Sequence, residues 1–191
     1  MTIRSKLGRL RFRAILAVSS KKFLNVQLST LEDCLKVYAL DGALRGKTVV
    51  DVGCDYGNSP IYWRLNGAAK VIGYEKDPRY LPALRRLAKQ DWFDFRGEWN
   101  GELPDADVLK IDCELCERRL DLRQLDRYGL WFVSLHELPE QGSTLGFRTT
   151  LERMGGRLGV VYNWNGGIEL NYCGGSSPGS SISSKTLGGV P

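Results

Sequence analysis

The sequence predicts an α/β protein with a Rossmann-like, mostly parallel sheet, and three observations support this fold class. The first is the segment 48–77, TVVDVGCDYGNSPIYWRLNGAAKVIGYEKD, which has the order strand, glycine turn, helix, strand and acid. The second is a pair of later apolar runs, DVLKI and LWFVSL, each followed by charged residues. The third is a pair of apolar runs on either side of WNGG, which is typical of an antiparallel hairpin.

The remaining elements follow from apolar patterns between turn signals. A helix is predicted from Ser29 or Thr30 to about Leu40, before the first strand. Further helices are predicted at 59–65, 81–90, 117–125 and 143–154. Strands are predicted at 48–52, 70–74, 91–98, 107–111, 130–135, 158–163 and 168–173.

Length and composition indicate one ordinary globular domain. The chain has 191 residues, of which 42% are hydrophobic and 26% are charged. No apolar run approaches the roughly 20 residues that a membrane span needs. Residues 1–22 contain no long apolar stretch, so a cleaved secretory signal is not expected. The odd number of cysteines, five, favours a reducing setting, and we expect a cytoplasmic protein.

The positive charge is concentrated at the N-terminus. The formal net charge is +5, but residues 1–22 contain seven basic residues and no acid, so the rest of the chain is slightly acidic. We therefore predict a basic amphipathic extension at 1–28, a domain at 29–173 and a Gly/Ser-rich flexible tail at 174–191. Four interpretations of residues 1–22 stay open: contact with nucleic acid, contact with an anionic membrane surface, a transit peptide, and docking on the domain.

The turn after the first strand indicates the class of ligand. Gly53 and Gly57 allow the backbone to turn sharply, and Glu75 ends the next strand, where a carboxylate can bind both hydroxyls of a ribose. An adenosine-containing ligand is therefore expected. The glycines lie four apart rather than in the G-x-G-x-x-G pattern, and Asp51 precedes them. An acid at this position repels a pyrophosphate and favours a cationic ligand, so S-adenosylmethionine is preferred to NAD.

Three titratable residues lie where later strands end and are candidates for catalysis. Asp112 and Glu114 follow the fourth strand, and His136, the single histidine, follows the fifth. Ligands of open α/β sheets bind at this edge, so each residue is a candidate general base for proton removal. The alternative for the two acids is capping of the helix predicted at 117–125, and a lone histidine is often structural.

Cys113 and Cys116 form a C-x-x-C pair whose most economical interpretation is two partly buried thiols. A zinc site would need ligands from scattered residues, because the chain has one histidine and no second cysteine pair. A redox pair is the other alternative, although thioredoxin-like sites place this motif in a different strand context. No metal site is therefore predicted from the sequence.

Two motifs in order resemble the FkbM-like branch of class I S-adenosylmethionine-dependent methyltransferases. These are DVGCDYGNSPIYWRLNGAAKVIGYEKDP and DVLKIDCELCE, which are similar to the D-x-G-x-x-x-G turn and the L-K-I-D-x-E-G-x-E segment of that family. The resemblance covers about residues 48–171. It implies a seven-stranded, mostly parallel sheet with a C-terminal antiparallel hairpin, and methyl transfer to a hydroxyl of a small molecule or glycan. Leu115 stands where the family usually has glycine, which predicts a crowded turn after Asp112.

The resemblance also implies roles for individual residues. Asp51, Gly53 and Gly57 would hold the methionine part of the cofactor, Glu75 the ribose, and Asp112 and Glu114 the acidic edge. The full predicted cofactor-binding set is Asp51, Gly53, Cys54, Asp55, Tyr56, Gly57, Asn58, Glu75, Lys76 and Asp112. Two alternatives to this function are an RNA or DNA methyltransferase that uses the basic N-terminus, and a cofactor-binding interaction module without catalysis.

Overall fold

The computed structural model describes residues 34, 37, 38, 40, 44–137, 144–164 and 167–175. The predicted extension 1–28, most of the helix predicted from Ser29 or Thr30, and all but the first two residues of the predicted tail lie outside these residues. Within the described part of the chain, no helix combines the length and the apolar character needed to cross a membrane.

A seven-stranded sheet forms the centre of the fold. In chain order its strands are β1 Thr48–Val52, β2 Lys70–Tyr74, β3 Phe93–Phe95, β4 Val108–Ile111, β5 Leu130–Glu137, β6 Arg157–Trp164 and β7 Gly167–Gly174. They are arranged in the order β3-β2-β1-β4-β5-β7-β6. The first five strands pair in parallel, whereas β7 is antiparallel to both β5 and β6. The predicted fold class, including the terminal hairpin, is confirmed.

The central strands are mostly apolar because both faces of the sheet are covered. Val49 and Val50 are neighbours on β1 and point to opposite faces, yet both are completely buried. Val49 belongs to one apolar cluster with Trp63 and Phe132, and Val50 belongs to a second cluster on the other face. This double burial explains why these strands read as short continuous apolar runs rather than alternating ones.

Three α-helices are described: α1 Asn58–Leu65, α2 Leu81–Leu87 and α3 Leu145–Arg153. They correspond to three of the predicted helices. The helix predicted at 117–125 is wrong, because two 3-10 helices, Cys116–Arg119 and Leu122–Arg127, occupy this region. Buried Leu120 between them has an extended backbone, and the Asp121 side chain accepts a hydrogen bond from the backbone nitrogen of Arg123. Asp121 therefore caps a new turn instead of continuing a helix.

Strand β5 is longer than predicted, which changes the position of His136. The strand runs to Glu137, so His136 lies within it and pairs with Glu169 of β7. Because directly paired residues project to the same face of a sheet, the histidine and the glutamate are neighbours.

Candidate active site

A cavity of about 440 Å³ lies at the carboxyl ends of β1, β2, β4 and β5. Its volume falls within the usual range for a small-molecule site, and its location is where open α/β sheets bind ligands. Among the described residues, the wall carries six carboxylates and two lysines: Asp55, Glu75, Asp77, Asp112, Glu114, Glu169, Lys76 and Lys110. This excess of negative charge favours a cationic ligand over a pyrophosphate.

Gly53 shapes the turn that leads from β1 into the cavity. Its φ of +84° lies in the left-handed region. A Cβ atom at this position would lie 1.7 Å from the backbone oxygen of Asp112. The glycine therefore allows the turn after β1 to pack against the turn after β4, in addition to lining the cavity.

Glu75 is held in a fixed position by three backbone amides. One carboxylate oxygen accepts hydrogen bonds from the nitrogens of Lys76 and Asp77, at 2.8 and 2.9 Å, and the other accepts from Asp55 at 3.0 Å. Glu75 also lines a second cavity of about 30 Å³, whose wall includes Trp99. The carboxylate therefore lies between a large compartment and a small one.

Asp51 lies behind the cavity wall and compensates the charge of Lys110. The indole Nε1 of Trp63 donates to Asp51 at 2.7 Å, and the Lys110 amine lies 3.2 Å from the other carboxylate oxygen. The same amine donates to the backbone oxygen of Gly53 at 2.5 Å. Burial alone would lower the pKa of Lys110, but the carboxylates of Asp51 and Asp112 raise it above its ordinary value. Lys110 is therefore a charged side chain in the floor of the site.

Asp112, His136 and Glu169 form a group that we call the Asp–His–Glu cluster. The Nε2 atom of His136 lies 3.6 Å from a carboxylate oxygen of Asp112. One nitrogen or oxygen atom from each of the three side chains lies within 4.8 Å of the other two. His136 is 3% exposed, and Asp112 and Glu169 are partly buried. The cluster forms the β5 side of the cavity wall.

Glu117, which does not line the cavity, orients His136. The Glu117 side chain is buried, and its Oε1 atom accepts a hydrogen bond from the His136 backbone nitrogen and lies 3.2 Å from the ring Nδ1. A carboxylate only accepts hydrogen bonds, so the neutral imidazole carries its proton on Nδ1 and directs the Nε2 lone pair towards the cluster. Burial opposes protonation, but Glu117 and Asp112 raise the pKa of His136 above its ordinary value.

Glu169 is held by neighbours on the same face of β5 and β7. The amide nitrogen of Asn171 donates to Glu169 at 2.9 Å and to the backbone oxygen of Val160 at 3.3 Å. The hydroxyl of Ser134 in turn donates to the amide oxygen of Asn171 at 2.6 Å. Burial and the charge of Asp112 raise the pKa of Glu169 above its ordinary value.

Cys113 and Cys116 are joined by a disulfide, so the prediction of two thiols is wrong for this pair. Glu114 and Leu115 have φ values of +48° and +82°, and this tight turn brings the two cysteine Cα atoms to 5.5 Å. Leu115 thus occupies a left-handed conformation, which glycine adopts more readily than leucine. The remaining cysteines, Cys34, Cys54 and Cys173, are buried thiols.

The predicted site residues fall into two groups. Those on the wall of the large cavity are Gly53, Asp55, Asn58, Glu75, Lys76 and Asp112, together with the catalytic candidates Glu114 and His136. Those that do not line the cavity are Asp51, Cys54, Tyr56 and Gly57. Of these, Cys54 donates its thiol to the Asp51 backbone, Tyr56 packs its ring on Tyr80, and Gly57 precedes α1 with φ of +93°.

Among the residues that sequence reasoning missed, three are charged and bear on the chemistry of the site: Lys110 and Glu169 on its wall, and Glu117 beside His136. A lysine within the apolar run DVLKI is a signal for a buried charge that requires a partner. In IELNYC, Glu169, Asn171 and Cys173 alternate with apolar residues, which indicates a polar row on one strand face. Glu117 gives no such signal, because it reads as an acid in the first turn of a helix.

Comparison with known proteins identifies a viral relative. No protein-family model matches the chain. "Uncharacterized protein 65" of Sulfolobus islandicus filamentous virus is 33% identical over 132 residues, which are 67% of this chain and 80% of that protein. The chain belongs to the family of this viral protein. A second viral protein, "Uncharacterized protein 158B" of Sulfolobus islandicus rod-shaped virus 1, is 33% identical over 103 residues, which are 51% of this chain and 65% of that protein.

Part of this chain is also similar in sequence to methyltransferases, and its fold is similar to theirs. "Ribosomal RNA small subunit methyltransferase A" of Methylobacterium radiotolerans is 41% identical over 71 residues, which are 37% of this chain and 22% of that enzyme. Precorrin-6y C5,15-methyltransferase of Geobacter metallireducens has a TM-score of 0.52 at 18% identity, covering 82% of this chain and 93% of that one. Fibrillarin of Aeropyrum pernix, solved with natively bound S-adenosylmethionine, has a TM-score of 0.51 at 12% identity, covering 73% and 74%. The predicted Rossmann-like methyltransferase fold is confirmed.

Proposed function

We propose that this protein is an S-adenosylmethionine-dependent methyltransferase whose cofactor lies in the 440 Å³ cavity. The observation that carries the proposal is the position of Glu75 at the end of β2, between the large cavity and the small one. Such a carboxylate binds the ribose, with the base in the small compartment beside Trp99 and the methionine part in the large one. The 30 Å³ compartment would enlarge to admit the adenine base of the cofactor.

The charge of the wall supports this cofactor over NAD. S-adenosylmethionine carries a sulfonium and an ammonium group, and both are stabilised by a wall that is rich in carboxylates. Asp55, two residues after Gly53, and Asp112, whose backbone packs against Gly53, both line the cavity, so a pyrophosphate at this turn would meet two negative charges. The buried Lys110 amine offers little to a phosphate, because Asp51 and the Gly53 carbonyl already bind it.

The acceptor is a hydroxyl group of a small molecule or glycan, bound beside the Asp–His–Glu cluster. When bound, S-adenosylmethionine would supply a methyl group attached to a positively charged sulfur. The bond between this sulfur and the methyl carbon would break as the acceptor oxygen bonds to the methyl carbon. The chain has two tasks: it aligns the two reactants, and it accepts the hydroxyl proton. Asp112, Glu114 and His136 all line this part of the cavity and can take the proton. The FkbM-like motifs support a hydroxyl as the acceptor.

Calorimetric titration with S-adenosylmethionine, S-adenosylhomocysteine and NAD tests the proposal. We expect the first two to bind and NAD not to bind. Glu75→Ala should weaken S-adenosylmethionine binding by at least about tenfold, because a charged hydrogen-bond partner is lost. Glu102→Ala is the matched control, since Glu102 is exposed and lies on neither cavity wall.

Two results would contradict the proposal. Binding of NAD alone would reverse the interpretation of the glycine turn, and unchanged affinity in Glu75→Ala would remove the ribose assignment. Cofactor binding without methyl transfer to any hydroxyl compound would favour the non-catalytic module. Transfer to RNA or DNA that is lost on deletion of residues 1–22 would instead support the nucleic-acid alternative.

A further inference from the structure

We propose that the Asp–His–Glu cluster binds a divalent transition-metal cation on the acceptor side of the cavity. Asp112, His136 and Glu169 each present one ligand atom, and these atoms lie within 4.8 Å of one another. In a tetrahedral site with bonds of about 2.0–2.2 Å, the ligand atoms lie roughly 3.3–3.6 Å from one another. Side-chain rotations that move each ligand atom by less than about 1 Å therefore bring the three atoms around a single ion.

The side chains that support the cluster have the arrangement of a metal site. Metal-binding histidines usually donate their second ring nitrogen to a carboxylate, which fixes the ring orientation. Glu117 occupies this position on Nδ1 of His136, at 3.2 Å. Metal-binding carboxylates are also hydrogen-bonded from outside, as Glu169 is by Asn171 at 2.9 Å. Two of the three ligands are therefore held in place by partners that do not face the cavity.

The donor types indicate the class of cation. One imidazole nitrogen and two carboxylates suit Mn²⁺, Fe²⁺ or Zn²⁺ better than an ion that prefers thiolate ligands. Cys113 lies nearby on the same wall, but its disulfide with Cys116 removes it as a thiolate ligand. Three protein ligands also leave coordination positions open, as in catalytic rather than purely structural metal sites.

The site deepens the proposed function and rests on it for its role in catalysis. A cation at the cluster would bind the acceptor hydroxyl and lower its pKa, as metal ions do for bound water. Asp112 and His136 would then be ligands rather than bases. Glu114, which is exposed on the same wall, would take the hydroxyl proton as the oxygen attacks the methyl group.

Titration of the metal-free 191-residue protein with Mn²⁺, monitored through the loss of the free-ion EPR signal, tests the site without cofactor or acceptor. We expect a single saturable site. Glu169→Gln should weaken binding by at least about tenfold, because it removes a charged ligand and preserves the shape of the side chain. Glu114→Gln is the matched control: it removes one charge from the same wall but no ligand, so affinity should change only a few-fold.

Asp112→Asn provides a second ligand variant if Glu169→Gln does not fold, as judged by thermal unfolding. Absence of saturable Mn²⁺ binding to the wild-type protein would overturn the site. An equal loss of affinity in Glu114→Gln and Glu169→Gln would also overturn it, because the ion would then be attracted only by the general charge of the wall.

Calorimetry with S-adenosylmethionine on the same samples separates the two proposals. If the protein binds the cofactor but not Mn²⁺, the metal site is rejected and the proposed function is not. If it binds Mn²⁺ but not the cofactor, the metal site is supported and the result counts against the proposed function.

Discussion

The Oε1 atom of Glu117 lies 3.0 Å from the backbone nitrogen of His136 and 3.2 Å from its ring Nδ1. One buried carboxylate on a 3-10 helix therefore fixes both the main chain and the imidazole of a residue on β5. This contact determines which ring nitrogen faces the cavity, and so it controls what the Asp–His–Glu cluster can bind.

Glu117→Gln should weaken Mn²⁺ binding about 10–100-fold, because the amide lacks the negative charge and can present either its oxygen or its NH₂ group to Nδ1, so it no longer fixes the tautomer that directs the Nε2 lone pair to the cavity. S-adenosylmethionine affinity, measured by calorimetry, should stay nearly constant. Since Glu117 does not line the large cavity, the variant separates positioning of His136 from direct contact with ligand. Unchanged Mn²⁺ affinity would show that Glu117 has only a structural role.

Lys110→Met should lower the free energy of unfolding by about 3–5 kcal/mol, because it leaves the completely buried Asp51 carboxylate without its ion-pair partner. Urea unfolding measures this change. The double variant Asp51→Asn with Lys110→Met should be more stable than the sum of the single effects predicts, since neither residue then carries an unpaired charge. Additive effects would contradict the coupling.

Gly53→Ala should be more destabilising than Gly97→Ala. Both glycines have positive φ, +84° and +77°, so both substitutions bear a cost of about 1–2 kcal/mol for the left-handed conformation. Only the Cβ at position 53 would clash with the backbone of Asp112, whereas position 97 has open space. Chemical unfolding of the two variants tests this difference, and equal losses of stability would show that the two turns do not pack as described.

Leu115→Gly should be tolerated, whereas Leu115→Val should lower the stability of the protein. Glycine relieves a left-handed conformation that costs roughly 1–2 kcal/mol, and it loses about 0.5–1 kcal/mol through greater chain entropy. The glycine variant should therefore be as stable as the wild type or slightly more stable. A β-branched residue at φ of +82° should destabilise the protein. A stabilising valine would contradict the assigned conformation.

Reduction of the Cys113–Cys116 disulfide should lower the free energy of unfolding by roughly 2 kcal/mol, the chain-entropy expectation for so short a loop. Thermal unfolding with and without a thiol reductant measures the effect. The variant Cys113→Ser with Cys116→Ser should match the reduced protein and show no further response to reductant. A response in that variant would assign the effect to another part of the chain.

Much of the fold could be predicted from sequence because its signals are local. The runs at β1, β2 and β4 are apolar and bounded by turns, so their limits differ from prediction by at most one residue. The helix predicted at 117–125 was wrong because Asp121, a strong capping residue, and buried Leu120 compete with helical propensity there. The disulfide was missed because the pairing depends on two left-handed residues that are not glycine.

By itself, the sequence determined the strand order along the chain, the glycine turn with Glu75, and an acidic edge at Asp112. These features depend on residue type and spacing within a few tens of residues. Only the tertiary structure decided that Asp51 forms an ion pair with Lys110, and that His136 contacts Glu117 and lies beside Glu169. That arrangement requires the antiparallel register of β5 and β7, which places His136 opposite Glu169, residues 33 positions apart in the chain. Such pairing is set by packing of the whole sheet, and no local pattern specifies it.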